Sequence, residues 1–184
     1  MTTGTVKTIA LALQGGGSHT AFGWGVLDAL LDKVAEGHLQ IVAISGASGG
    51  ALTGAICAYG LREGPQQARQ LLASFWDLVA NESKWPENPL LSLVPADDPR
   101  RWNVDNDPLA VGIALSEQVW SPYYNWWLRL DVLAPLLRRL IPAFDRFSQP
   151  AGAMPRLYVS AVAVGQTALR IFGPDEITLQ ALLA

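Results

Sequence analysis

Cysteine is almost absent from this chain. The single Cys57 leaves no partner for an intrachain disulfide, and together with only two histidines, His19 and His38, it cannot complete an ordinary structural zinc site. Nothing therefore ties the protein to an oxidising compartment, and we expect neither a metal nor an organic cofactor. Charge is sparse too. Asp, Glu, Lys and Arg make up 16% of the 184 residues, and 13 basic against 16 acidic side chains leave a net charge of −3. With a pI of about 5.3, the chain lacks the basic stripe that a phosphate backbone demands, which argues against nucleic acid as its main partner. Also missing is any run of roughly 20 apolar residues that could cross a bilayer. The amino terminus carries only Lys7 before a short apolar stretch that meets Gly15, too little for a secretory signal. We expect a cytoplasmic protein.

What is there is apolar. Half the residues are hydrophobic and mean hydropathy is +0.21, so a packed core is expected, within one domain spanning 1–184. Thr8 to Leu13 and Gln40 to Ser45 are apolar runs with little polar alternation, the pattern of strands buried on both faces in a parallel sheet. Each ends in glycines, and each is followed by a helical repeat: Val26, Leu27, Leu30, Leu31 and Val34 after the first, Ala51, Leu52, Ala55, Ile56 and Ala58 after the second. Gly64-Pro65 opens a further helix. Between about 81 and 150 the pattern breaks into a Pro- and Trp-rich excursion that reads as lid-like, with helices at Pro108–Trp120 and Pro135–Ile141 and an aromatic connector at Ser121–Leu130. Leu157–Val164 and Ala168–Phe172 read as later strands. The β-α-β-α order predicts an α/β fold with a largely parallel central sheet flanked by helices.

Two glycine-rich turns carry the chemistry. Gly46-Ala47-Ser48-Gly49-Gly50 is a G-x-S-x-G between a predicted strand and a predicted helix, a turn that lifts a serine hydroxyl clear of the backbone at the positive end of a helix. Gly15-Gly16-Gly17-Ser18, after the first strand, can aim several amides at one point, which suits a phosphate or an oxyanion. Nucleotide readings fail: no Gly-Lys-Ser/Thr ends the loop, and Thr20 stands where a dinucleotide fingerprint needs glycine or alanine. Parallel strands bring both turns to one edge of the sheet, where one can offer a nucleophile and the other oxyanion donors, together with the amide of Gly49.

In these motifs the sequence resembles the patatin-like phospholipase family. The likeness covers Thr8 to Gly60 and returns over Arg156 to Ala184. It implies a three-layer sandwich and a serine acyl hydrolase acting on lipid or other carboxylic esters through a Ser-Asp dyad, without histidine. Carried over, Ser48 matches the family's nucleophile in its nucleophile elbow, and Gly15, Gly16 and Gly17 match its oxyanion-hole glycines. The family's loop continues with Arg and Gly, where this chain has His19 and Thr20; His19 is a candidate for substrate contact. The family's dyad aspartate lies in an Asp-Gly pair, and no Asp-Gly occurs here. Thr178 to Ala184 reads as an apolar helix start without a stop signal. The expectation is a chain processed after Ala184, its sandwich incomplete without a following segment, with a companion carboxyl-terminal chain supplying the aspartate. The alternative is a non-catalytic subunit that binds a lipid or acyl ligand.

The other candidates have plainer explanations. His38, in a helix-to-strand loop, reads as a surface residue, and Cys57 as a small buried side chain. Asp77, Asp97, Asp98, Asp105 and Asp107 read as solvated charge. The tryptophans from 76 to 127 either pack the excursion onto the core or line an acyl groove, and the aromatic content leaves room for contact with a membrane surface.

Overall fold

A computed structural model describes residues 5–82, 133–149, 154–163 and 168–184. The chain divides into two compact units, one formed by 1–80 with 132–184 and the other by 81–131; the sheet and the glycine turns belong to the first. The readings at Pro108–Trp120 and Ser121–Leu130, and Trp85, Trp102, Trp120, Trp126 and Trp127, lie outside the described residues.

Strand β1 (Lys7–Leu13) leads through a 3-10 turn (Gly17–Thr20) into helix α1 (Ala21–Ala35), and β2 (Leu39–Ala47) leads directly into α2 (Gly49–Leu61). Helix α3 (Pro65–Glu82) starts at the expected proline, α4 (Leu133–Leu140) matches the short helix read at Pro135–Ile141, and β3 (Arg156–Val162), β4 (Leu169–Phe172) and α5 (Leu179–Leu183) follow. Among the described residues the sheet runs β1-β2-β3-β4. The first two pairings are parallel, and only β3 against β4 is antiparallel.

Helix α2 is the centre of the core. Every residue from Gly50 to Leu61 is buried, which is why its sequence shows no polar face. Its small residues let it lie close to the sheet: a Cβ on Gly54 would stand 2.9 Å from Ile44 Cγ2 and 3.3 Å from Leu13 Cδ1. Ile41 and Ile44 both reach this face because the register shifts by one residue opposite Ile9 and Ala10, leaving Val42 40% exposed as the extra residue. Leu27 and Leu31 of α1, Leu72 of α3, Leu137 of α4 and Leu157 of β3 complete the cluster. Each such side chain, fully buried, contributes about 1.5–3 kcal/mol. Helices α1 and α3 are joined at Arg69, whose Nη2 lies 2.6 Å from Asp32 Oδ1 and donates to the Asp28 carbonyl at 2.8 Å. Trp76, also buried, packs edge-on against Phe75.

The other face of the sheet carries Ser45, Tyr158, Ser160 and Ile171, and among the described residues no helix covers them.

Cys57 lies fully inside α2, and burial pushes its thiol up to about 12. At pH 8 only about one thiol in 10⁴ would be ionised, and a thiol must be ionised to react. Native protein is therefore expected to resist alkylation by iodoacetamide for hours and to react within minutes in denaturant, as read by intact mass.

Candidate active site

Parallel pairing sets Leu13 opposite Gly46, so the loops that follow β1 and β2 emerge side by side at the carboxyl edge of the sheet. Glycine allows them to touch. A Cβ on Gly15 would lie 3.1 Å from the Ala47 carbonyl oxygen and 3.2 Å from Ser48 Cβ, so the first loop rests directly against the serine.

Ser48 has φ 48° and ψ −128°, and among the described residues it is the only non-glycine with positive φ. Such a conformation costs of order 1–3 kcal/mol and persists only where its surroundings impose it. Here β2 and α2 hold it from both sides. The Ser48 carbonyl opens the helix, accepting from Ala51 N–H at 2.8 Å and Leu52 N–H at 3.2 Å. A serine at a helix cap ordinarily turns its hydroxyl onto one of the first amides; Ser48 makes no such bond and its side chain is exposed. The hydroxyl stands free, above the positive end of a 13-residue helix.

The facing loop turns through two glycines of positive φ, Gly16 at 154° and Gly17 at 54°. Among the described residues no backbone carbonyl accepts from the amides of Gly16, Gly17 or Gly49, as the first turns of two helices would leave them. The backbone of Ser18 lies in the same 3-10 turn.

The two residues where the chain departs from the family pattern behave differently. Thr20 is buried, and its hydroxyl donates to the Gly17 carbonyl at 2.7 Å. A Cβ on Gly49 would come within 2.7 Å of Thr20 Oγ1 and 2.8 Å of Gly17 O, so Thr20 clamps the first loop against the second. His19 is exposed, with its backbone N–H and its ring Nδ1 both bonded to the Gly16 carbonyl, at 3.1 and 3.2 Å. Because a carbonyl only accepts, Nδ1 carries the proton there.

Two cavities meet at the end of β1 and share Ala12, Leu13 and Gln14; Ser48 lines neither. One, of about 500 Å³, lies between β1 and α1 and ends at Gly15, His19 and Gly50. The other, of about 510 Å³, lies on the open face of the sheet beside Ser45, Ala47 and Ser160. Among the described residues lining either cavity there is no carboxylate. His38 sits at the opposite edge of the sheet, ahead of β2, with Nδ1 3.1 Å from Glu36 Oε2. Asp28 and Asp32 are held by Arg69. Asp97, Asp98, Asp105 and Asp107 lie outside the described residues.

Sequence periodicity missed the wall of the first cavity. Val26 and Leu30 read as core positions with Leu27 and Leu31, yet only Leu27 and Leu31 enter the core; Val26 is 48% exposed and lines the cavity with Leu30 and Phe22. Neighbouring residues on a helix differ by about 100°, so a wide apolar face holds two rows. The breadth of that face was the available signal.

A family model for patatin-like phospholipases matches residues 11–158, which takes in both glycine loops, the whole of β2, the end of β1 and the start of β3. The chain belongs to the patatin-like phospholipase family. That places it in a family of lipid acyl hydrolases, with the α/β fold and largely parallel sheet that its strand pattern predicts. No curated protein matches it. Among solved structures, the heterodimeric ExoU–SpcU complex from the type III secretion system of Pseudomonas aeruginosa is similar at 23% identity with a TM-score of 0.46. The alignment covers 98% of this chain and 36% of that one, so this patatin-like chain spans little more than a third of that protein's length.

Proposed function

We propose that the protein hydrolyses a lipid carboxylic ester with Ser48 as nucleophile. The observation that carries this reading is the strained φ of 48° at Ser48, whose hydroxyl caps nothing and whose Cβ faces the Gly15 loop. Ser48 Oγ attacks the ester carbonyl, and its proton passes to an aspartate. The carbonyl oxygen, now negative, is received by the amides of the Gly15–Ser18 loop and of Gly49; one such donor is worth about 10²–10³ in turnover. The tetrahedral intermediate collapses, the C–O bond to the alcohol breaks, and the aspartate returns the proton to the departing alkoxide. Water then gives a proton to the aspartate and attacks the acyl carbonyl, the bond to Ser48 Oγ breaks to release the carboxylic acid, and the aspartate returns the proton to Oγ, restoring Ser48.

The aspartate comes from outside these 184 residues, on a following segment or a companion chain. The carboxylate-free lining of both cavities, among the described residues, supports this assignment. The reading has no role for a metal or an organic cofactor.

A fluorophosphonate probe tests it directly. With the complete protein, intact mass followed by peptide mapping is expected to show one adduct, on Ser48. Absence of an adduct while a chromogenic ester is turned over would sink the assignment. Absence of both adduct and turnover, with an acyl ligand still bound, would favour the binding subunit.

A further inference from the structure

We propose that the cavity between β1 and the outward row of α1 holds the acyl chain of the ester, and that Gly23 and Val26 set which chains fit. The proposal rests on the Ser48 reading and adds the direction in which the acyl group leaves the catalytic serine. Ser48 does not itself line the cavity, but Gly15 and Gly50 on either side of the elbow do, and a Cβ on Gly15 would stand 3.2 Å from Ser48 Cβ. The cavity's polar side chains are Gln14, His19, Thr20 and Thr53, the last with its hydroxyl bonded to the Gly49 carbonyl at 2.9 Å; the rest of the wall includes Leu11, Phe22, Val26 and Leu30. Among the described residues no Asp, Glu, Lys or Arg lines it, so an apolar chain enters without stripping water from a charge there. A volume of about 500 Å³ falls within the usual range for a small-molecule pocket, roughly 300–1,000 Å³.

The shape is a channel along the helix. Phe22, Val26 and Leu30 follow one another at four-residue spacing, so they mark out about 12 Å of helix axis at 1.5 Å per residue. Phe22, 81% exposed, stands at the end nearest the oxyanion loop, where it can fold over a bound chain. Gly23 leaves the channel open: among the described residues a Cβ there would meet nothing within 4 Å. A larger side chain at 23 would therefore fill the channel without disturbing the core, and α1 would tolerate it because leucine forms helix better than glycine.

The test compares Gly23→Leu with the unaltered complete protein on p-nitrophenyl butyrate and p-nitrophenyl laurate. The laurate-to-butyrate ratio of kcat/KM is expected to fall at least about tenfold, the scale on which an apolar pocket discriminates chain size. Gly25→Ala is the control, since Gly25 lies on the same helix outside the cavity, and it should leave the ratio unchanged. Binding of fluorescent cis-parinaric acid to Ser48→Ala, against Ser48→Ala with Gly23→Leu, reads the same channel without catalysis; the double variant should bind at least about tenfold more weakly. An unchanged ratio, or equal fatty-acid binding by the two proteins, would overturn the channel. Hydrolysis persisting in Ser48→Ala would overturn the nucleophile instead and leave the channel standing on its binding data.

Discussion

Alanine at Ser48 is expected to lower ester hydrolysis by about 10⁴- to 10⁶-fold, the scale of removing a serine nucleophile outright, while the protein stays folded. The side chain is exposed and caps nothing, so its hydroxyl contributes little to stability. The backbone strain belongs to the Cβ and survives in alanine. Ser48→Gly should therefore be equally inactive but more stable than Ser48→Ala. Relief of about 1–3 kcal/mol of strain outweighs the roughly 0.5–1 kcal/mol that glycine loses in chain entropy. At about 1 kcal/mol net, Tm should rise by roughly 2–4 °C. Esterase assays and thermal melts of the two variants check both halves. Hydrolysis retained in Ser48→Ala would remove Ser48 from the mechanism, and a lower Tm for the glycine variant would show that the turn is not strained.

Much of this was legible in the residues because the signals were local. Glycines at the ends of two apolar runs mark where strands stop, and a parallel sheet then leaves little choice about where the turns meet. The strand read at Gln40–Ser45 extends over Leu39–Ala47, and that read at Leu157–Val164 starts at Arg156; such shifts of one or two residues are ordinary at element ends. What stayed hidden depends on partners distant in sequence. The bulge at Val42 exists because Ile41 and Ile44 must both face α2, a demand that β2 alone does not express. The division of α1 between core and cavity depends on β1 leaving one flank of the helix uncovered among the described residues. Thr20 looked like a defect in a glycine pattern; in place, its hydroxyl closes the turn that a glycine would leave looser.

Gly46→Ala is expected to cost about 3 kcal/mol or more and to abolish activity together with native structure around the elbow. A methyl group at this position would sit 2.6 Å from the Gly50 carbonyl oxygen and 2.7 Å from the Ala51 nitrogen. Both are backbone atoms in the first turn of α2, so no side chain can rotate aside and the helix itself would have to retreat. That helix is buried along its length from Gly50, and its Ala51 and Leu52 amides bond to the Ser48 carbonyl. A shift therefore loosens the core and releases the restraint that holds Ser48 at positive φ. A loss of about 3 kcal/mol lowers Tm by roughly 6–12 °C at this chain length, within a total stability of only about 5–15 kcal/mol. Gly25→Ala provides the contrast: among the described residues a Cβ there meets nothing within 4 Å, and removing a helix glycine should stabilise by about 0.5–1 kcal/mol. Opposite signs for the same glycine-to-alanine change, read by thermal melts, would show that close approach at the elbow sets the cost. Equal and small effects would mean that α2 can move away freely, and the tight contact between elbow and helix would no longer account for the exposed serine.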